Sequence, residues 1–401
     1  MKVLLVGSGA REHALARGLT KSPSLSELHA APGNPGIAEI GTCHPVRVDD
    51  IEGLVDLAQS LRIDLVVVGP EAPLVAGLAD QLRKAGIATF GPSAAAAEIE
   101  GSKAFAKDVL DAAGVPTARI LDVPKAPCVV KADGLASGKG VFICNTEDEL
   151  AEGLAGARAL GDTVVVEEML TGPEVSVFAL CDGSVAVPLA SARDFKRIGD
   201  GDTGPNTGGM GAYSPVADSG DLATLVAEIH QPVLDELARR GTPFIGCLFA
   251  GLMLTPDGPR VLEFNARFGD PETQVIVARL EGDLLAALAA AAAGDLSGVS
   301  IGTGADAAVT IVVAGPDYPA RSDYTGAAIT GIDDAESDGA FVFHGGTAMH
   351  DGALVTNGGR ILSVTAAGPT VREARETAYT AVAKVAFAGA QHRNDIAGGV
   401  E

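Results

Sequence analysis

The sequence predicts a multidomain protein that combines the α/β and α+β classes, in three segments of different pattern. Residues 1–100 alternate short aliphatic runs with amphipathic stretches, which is typical of βαβ units on a buried parallel sheet. Residues 101–305 are richer in predicted strands and contain two glycine-rich stretches, and a smaller strand-rich unit begins at about residue 306. At 401 residues the chain exceeds one typical hydrophobic core, so several domains are expected.

The hydrophobic periodicity predicts the following elements in order. The first segment should contain strands at 3–6, 28–30, 65–68 and 88–90, and helices at 13–19, 51–60 and 74–85. The middle segment should contain helices at 102–110, 148–160, 222–240, 272–280 and 284–293, and strands at 128–131, 140–144, 163–168, 174–180, 184–188, 246–254 and 260–265. Asp182-Gly183 is a hairpin-turn dipeptide. The last segment should contain strands at 307–314, 340–345, 353–356 and 361–367, and a helix at 371–388.

Composition excludes several classes of function. The net charge of −23 argues against non-specific nucleic-acid binding and against docking on anionic membranes. The longest apolar stretch, residues 284–293, is too short to span a bilayer, and the first residues lack a signal-peptide pattern. The five cysteines are scattered without a C-x-x-C pair, which indicates buried thiols in a reducing compartment. We therefore expect a cytoplasmic protein with neither a nucleic acid nor a membrane as partner.

A glycine-rich loop follows the predicted strand that ends at Lys131. The loop contains three glycines and a second lysine, Lys139, and then another apolar run begins. Glycines let backbone N–H groups close on an anion, and lysines supply point charges for phosphate oxygens. The residue order is not that of a P-loop. Taken alone, the stretch supports a phosphate site and a glycine-rich hairpin with exposed lysines equally well.

Glu263 and Asn265 stand two residues apart near the end of the predicted strand 260–265, so their side chains should point to one face. One carboxylate and one amide oxygen are hard ligands of the kind that Mg²⁺ accepts together with water and nucleotide phosphates. Arg267 follows on the same face and could bind a phosphate or carboxylate in bidentate fashion. An isolated pair of this kind is more often a strand edge that faces water, but the phosphate-type loop upstream favours a metal site.

These two stretches, in this order, resemble the ATP-grasp superfamily, and further motifs narrow the resemblance to the phosphoribosylamine–glycine ligase family. The shorter motifs are GSGAREHA at 7–14, APGN at 31–34, VGPEAPL at 68–74, FGP at 90–92 and EGSK at 100–103. The longest are DTGPNTGGMGAYSP at 202–215 and RFGDPE at 267–272. The resemblance covers nearly the whole chain.

The resemblance implies an architecture and a reaction. It implies an N-terminal parallel-sheet (pre-ATP-grasp) domain at 1–100, a two-lobed ATP-grasp domain at 101–305 with its lid lobe at about 116–173, and a small C-terminal α+β domain at 306–401. It implies ATP-dependent ligation of glycine to 5-phosphoribosylamine through glycyl phosphate, giving glycinamide ribonucleotide, ADP and phosphate in de novo purine (IMP) biosynthesis. The implied cofactors are ATP and Mg²⁺ or Mn²⁺. A monomer is expected, with a weak dimer as the alternative.

The resemblance also implies roles for individual residues. Nucleotide contacts are expected from Lys103, Lys131, Asp133, Gly134, Ser137, Gly138, Lys139, Gly140, the hinge residues Glu167, Glu168 and Leu170, and the ribose-binding Glu174. The metal ligands would be Glu263 and Asn265. Phosphoribosylamine is expected beside Gly9, Arg11, Glu12, Asn34, Gly69 and Glu71, and its junction with glycine beside Asp194, Lys196, Asn206, Met210 and Arg267. The expected catalytic residues are Arg267, Lys131, Asp194 and Lys196. Residues 202–215 are expected to form a functional loop that orders on ligand binding.

The sequence also offers alternatives to this assignment. A different ATP-grasp enzyme, such as a carboxylase or another amino-acid ligase, is disfavoured by the motifs at 204–215 and 267–272. A non-catalytic nucleotide-binding module would be expected to have lost Lys131, Glu263 or Asn265, and all three are present. On their own, Glu167 and Glu168 fit a solvent-facing pair at a strand end better than a nucleotide hinge. A nicotinamide cofactor is not expected, because the turn at Gly7 and Gly9 lacks the third glycine of the dinucleotide fingerprint.

Overall fold

The computed structural model describes residues 1–135, 140–161 and 163–400. Three predicted residues of the glycine-rich loop, Ser137, Gly138 and Lys139, therefore lie outside the described residues. Within the described part of the chain, no helix has the length and apolar content needed to cross a membrane.

The first hundred residues form a five-stranded parallel sheet of order β3-β2-β1-β4-β5. Its elements are β1 (Lys2–Gly7), α1 (Ala10–Thr20), β2 (Glu27–Pro32), α2 (Pro35–Ala38), β3 (Thr42–Cys43), α3 (Ile51–Leu61), β4 (Leu65–Val68), α4 (Glu71–Val75), α5 (Leu78–Lys84), β5 (Ala88–Phe90) and α6 (Ala94–Gly101). The predicted helix at 74–85 is instead divided into α4 and α5, because Gly77 between them has a left-handed φ of +87°.

The direction of the chain connections reverses between β1 and β4 in this sheet. In open parallel sheets, ligands bind at the carboxyl ends of strands where such a reversal occurs. The turn from Gly7 to Glu12 follows β1, and the turn from Gly69 to Glu71 follows β4. The fold therefore brings two predicted substrate-binding turns side by side.

The middle of the chain contains a small lid sheet and most of a large antiparallel sheet. Its elements are α7 (Lys103–Ala113), β6 (Cys128–Ala132), β7 (Val141–Cys144), α8 (Glu147–Leu160), β8 (Val164–Glu168), β9 (Glu174–Asp182), β10 (Ala186–Asp194), β11 (Arg197–Gly199), β12 (Thr203–Asn206), β13 (Gly211–Ser214), α9 (Leu222–Leu225), α10 (Gln231–Arg239), β14 (Ile245–Thr255), β15 (Gly258–Asn265), α11 (Glu272–Arg279), β16 (Leu280–Gly282), α12 (Leu284–Ala293) and β17 (Ile301–Thr303). The predicted helix at 222–240 contains a π-helical turn, Val226–His230, between α9 and α10. The lid sheet, of order β7-β6-β8, packs on α8 around a separate apolar core.

The last segment contributes three strands to the large sheet, whose order is β15-β14-β9-β10-β13-β18-β23-β20. Its elements are β18 (Ala307–Ala314), β19 (Tyr324–Ala328), α13 (Ile332–Ser337), β20 (Phe341–His344), β21 (Thr347–His350), β22 (Ala353–Gly358), β23 (Arg360–Gly368) and α14 (Val371–Val382). Strands β13 and β18 pair across residue 306, so the segments on either side share one sheet. The predicted helix at 371–388 ends at Val382. The predicted fold class is confirmed, with parallel-sheet, ATP-binding and C-terminal parts in the expected order.

Candidate active site

A cavity of about 640 Å³ lies where the parallel sheet, the lid sheet and edge strand β15 meet. All three segments of the chain line it. The predicted residues on its wall are Arg11, Glu71, Lys103, Lys131, Gly134, Glu167, Asp194, Lys196, Asn206, Glu263, Asn265 and Arg267. The fold thus gathers the expected metal ligands, the expected catalytic residues and part of the expected nucleotide site around one space.

A second cavity, of about 550 Å³, adjoins the first. Gly9 and Asn34 line it from the N-terminal sheet, and residues 345–347 line it from the C-terminal segment. Four residues line both cavities: Asp270, Tyr318, Ser322 and Arg360. The predicted phosphoribosylamine side is therefore continuous with the predicted nucleotide side.

Some predicted residues support the walls instead of lining them. Glu12 is buried and accepts hydrogen bonds from Gly9 N at 2.7 Å and from Arg11 Nε at 2.6 Å. A Cβ on Gly69 would lie 2.1 Å from Glu12 Oε1, so the Glu12 side chain can keep this position only while residue 69 is glycine. Met210 is fully buried beside Val312 in a small apolar cluster.

The start of the glycine-rich loop is tied to α7. Asp133 Oδ1 accepts a hydrogen bond from Lys103 N at 2.5 Å, and Lys103 Nζ donates to Gly134 O at 3.0 Å. Gly140 O accepts from Ala132 N at 2.8 Å on the far side of the loop. Burial lowers the pKa of Lys103. These bonds hold a lysine at the base of the predicted phosphate loop.

Glu167 forms a buried ion-pair cluster with two lysines. Its Oε2 lies 2.8 Å from Lys131 Nζ, and its Oε1 lies 3.0 Å from Lys107 Nζ. The residue is only 2% exposed, so the solvent-facing alternative is wrong for it. Glu168 is partly exposed and pairs with Arg119 at 2.7 Å. Lys107 was not predicted, although its position four residues after Lys103 on a helix places both lysines on one face.

Lys196 is held between two carboxylates. Its Nζ lies 2.7 Å from Glu174 Oε2 and 3.8 Å from Asp194 Oδ1. Burial opposes the charge on Lys196, but Asp194, Glu174 and Glu263 raise its pKa well above the usual value. Burial raises the pKa of Asp194. Glu174, the expected ribose ligand, is thus engaged with an expected catalytic residue.

Arg267 lies between two acidic partners from the N-terminal hundred residues. Its Nε is 3.2 Å from Glu71 Oε2, and its Nη2 is 3.1 Å from Glu100 Oε1. Burial opposes the guanidinium charge, but Glu100 and Glu71 raise the pKa of Arg267 above its usual value. Burial raises the pKa of Glu100 itself. Arg267 is therefore charged and fixed in position at the cavity wall.

Glu263 and Asn265 lie at the end of edge strand β15, and both line the first cavity. Neither side chain has an ion pair or hydrogen bond with another described residue, so their oxygens are available. Among the described residues, no cluster of three His, Cys, Asp or Glu side chains suits a metal. The donor set fits a hard divalent cation that completes its coordination with phosphate and water oxygens.

Three further residues of the site were not assigned from the sequence. Arg360 Nη2 donates to Asp270 Oδ2 at 2.8 Å, in the wall between the cavities. Burial, with Asp194 nearby, raises the pKa of Glu272 to about 7. Asp270 and Glu272 belong to the RFGDPE motif, which could have directed attention to them. No local signal connects Arg360 to a motif that lies 90 residues earlier.

Comparisons with family models, curated proteins and solved structures give consistent matches along the chain. Models of the phosphoribosylglycinamide synthetase N domain, ATP-grasp (A) domain and C domain match residues 1–100, 101–273 and 308–399. The chain is 53% identical over 415 residues to the phosphoribosylamine–glycine ligase of Streptomyces coelicolor, covering 99% of each. The crystal structure of phosphoribosylamine–glycine ligase from Thermotoga maritima is similar, with a TM-score of 0.84, 33% identity, and coverage of 99% of this chain and 100% of that one.

A more distant solved structure shares the fold alone. It is the biotin carboxylase domain of Hydrogenobacter thermophilus 2-oxoglutarate carboxylase, described in complex with MgADP. Its TM-score is 0.70 at 18% identity, and the match covers 98% of this chain and 91% of that one.

Proposed function

Because the chain belongs to the phosphoribosylglycinamide synthetase family, we propose a division of labour among its residues in the reaction. The protein is an ATP-dependent ligase that joins glycine to 5-phosphoribosylamine in purine biosynthesis, as its relatives' names indicate. The observation that carries the assignment is the pair of adjoining cavities. One holds the lysines and the metal-type oxygens, and the other lies against the Gly9 turn.

The chemistry requires activation of a carboxylate, because a carboxylate is a poor electrophile. In the proposed mechanism a glycine oxygen attacks the terminal phosphorus of ATP, ADP leaves, and glycyl phosphate forms. The amine of phosphoribosylamine then attacks the acyl carbon and phosphate leaves. Little covalent chemistry is asked of the protein, so its task is to position charges and exclude water.

The cationic residues divide this task. Lys131 and Lys103 face the phosphates of ATP, and the cluster around Glu167 fixes the direction of Lys131. Arg267 orients the glycine carboxylate and the transferred phosphoryl group from its fixed place beside Glu71. Lys196 neutralises charge at the junction between the substrates.

The acidic residues Asp194 and Glu272 suit proton acceptance. Burial raises the pKa of Asp194, and burial with Asp194 nearby brings that of Glu272 to about 7. A group that titrates near neutral pH is an efficient proton acceptor there. We assign to this pair the proton that the attacking amine releases.

Glu263 and Asn265 are the proposed ligands of a divalent cation, Mg²⁺ or Mn²⁺. Such a cation neutralises phosphate charge when it is bound with ATP. The proposed setting is the cytoplasm, in keeping with five free cysteines. The proposed assembly is a monomer or weak dimer, with small molecules as its partners.

The decisive test measures ADP release from ATP and Mg²⁺ in the presence of glycine, with and without freshly made phosphoribosylamine. Release that requires both substrates, together with a glycine-containing nucleotide product, is the expected result. Turnover only with a different amine or acid would overturn the substrate assignment. Retained activity in Glu263→Gln would remove the metal assignment. The exposed Glu376→Gln on α14 is the matched control.

A further inference from the structure

Arg393 is one of the largest fully buried side chains of the protein, at 1% exposure, although it lies outside both cavities. Its Nε and Nη2 donate to the two carboxylate oxygens of Asp395, each at 2.7 Å. Its Nη1 donates to Asp202 Oδ1 at 2.7 Å and to Arg197 O at 3.1 Å. Its guanidinium carbon lies 5.0 Å from the centre of the Phe195 ring. All of these partners of the guanidinium except Asp395 lie on one loop.

That loop, residues 195–210 (the cavity loop), includes the paired short strands β11 and β12 and forms part of the wall of the first cavity. Lys196, Asn206 and Thr207 line the cavity from it. Phe195 and Arg197 are the immediate chain neighbours of Lys196, and both contact Arg393. A shift of the guanidinium would therefore disturb both chain neighbours of Lys196, through the ring of Phe195 and the carbonyl of Arg197.

The segment that carries Arg393, residues 391–397 (the clamp segment), is itself anchored to the body of the protein. Arg375 on α14 donates to Ile396 O at 2.9 Å and to Asn394 O at 2.8 Å. Tyr379, also on α14, donates to Arg393 O at 2.9 Å. The clamp segment is thus fixed to a packed helix, and through Arg393 it restrains the cavity loop.

Further hydrogen bonds join the two segments at the tip of the loop. Asn394 N and Nδ2 donate to the carboxylate of Asp200 at 2.7 and 3.0 Å. Gly201 N donates to Asp395 Oδ2 at 2.8 Å. Asp202 has a left-handed φ of +54°, which Asp adopts more readily than most non-glycine residues. Its carboxylate accepts the hydrogen bond from Arg393 at this turn.

Inside the cavity loop, backbone hydrogen bonds connect the residues that contact Arg393 with those that line the cavity. Thr207 N donates to Lys196 O at 2.7 Å, and Met210 N donates to Phe195 O at 2.8 Å. We propose that Arg393 is a positioning residue for the ligation, which holds the cavity loop so that Lys196 and Asn206 face the substrates. This role rests on the proposed function. A displacement of about 1 Å in such a wall can lower turnover about 100-fold.

The test compares Arg393→Met with wild type in the ligation assay and in hydrogen exchange. We expect kcat to fall between about 10-fold and about 100-fold. The KM for ATP should change much less, because the lysines of the nucleotide side lie on α7 and β6. The amides of Thr207 and Met210 should exchange faster. Arg393→Lys keeps the charge but loses the two-pronged contact with Asp395, so an intermediate kcat is expected.

Two further variants separate positioning from general stability. Asp202→Ala removes one partner of Arg393. The Asp202 side chain is 66% exposed, so this variant should fold even if Arg393→Met does not, and its kcat should fall several-fold. Arg83→Met is the control: Arg83 is half-buried and donates to Thr89 O and Gly91 O, away from both cavities. It should lower thermal stability without lowering kcat.

The outcomes distinguish the inference from the function on which it rests. A folded Arg393→Met with kcat within twofold of wild type would overturn the positioning role. An equal loss of kcat in Arg83→Met at equal loss of stability would also overturn it. If wild type fails to ligate glycine while exchange in the cavity loop still responds to Arg393→Met, the proposed function fails and the clamp on the loop stands.

Discussion

Replacement of Glu272 by Gln should make the protein more stable, and increasingly so as the pH rises. Glu272 is 3% exposed, and burial with Asp194 nearby raises its pKa from 4.5 to about 7. At pH values between 4.5 and about 7, Glu272 keeps its proton in the folded protein and has lost it in the unfolded chain. The folded state then binds more protons, so the wild-type free energy of unfolding falls as pH rises. Gln resembles the protonated acid in size and is free of this penalty.

The size of the effect follows from the gap between the two pKa values. Each pKa unit corresponds to about 1.4 kcal/mol, so the full gap is about 3 kcal/mol, most of which develops between pH 5 and pH 8. Urea denaturation of wild type and Glu272→Gln across that range measures it. The exposed Glu376→Gln serves as control. Parallel pH profiles for wild type and Glu272→Gln would refute the reasoning, because they would mean that Glu272 titrates as a solvated carboxyl.

Four other predictions concern the two cavities. Glu263→Gln should lower kcat at least about 100-fold while urea denaturation shows an intact fold; activity within tenfold of wild type would contradict the metal assignment. Lys107→Met should lower the free energy of unfolding, measured by urea denaturation, by about 3 kcal/mol, because Glu167 loses one of its two buried partners. Unchanged stability would argue against the ion pair. Gly69→Ala should raise the KM for phosphoribosylamine more than that for ATP by displacing Glu12, and equal changes would contradict this. ATP with both substrates should protect residues 202–215 from proteolysis; unchanged cleavage would refute ligand-induced ordering.

Local sequence patterns predicted the fold class and many of the residues that line the candidate site. The aliphatic runs of β1 and β4 are buried along their length, and sequence periodicity reports such runs directly. The i, i+2 spacing of Glu263 and Asn265 placed both on the wall of one cavity. Errors arose where local propensity is weak. The break at Gly77 and the π-helical turn before α10 both interrupt stretches whose apolar spacing continues.

By itself, the sequence determined which chemical groups the protein offers: lysines beside a glycine-rich loop, paired oxygen ligands and the long family motifs. Only the tertiary structure decided how distant charges pair. Arg360 meets Asp270 across 90 residues, and Arg393 meets Asp202 across 191. Within a strand or helix, backbone geometry sets the spacing of side chains, so neighbouring residues reveal their common face. The partner of a buried charge is set by the packing of whole elements, which the spacing of residues along the chain does not encode.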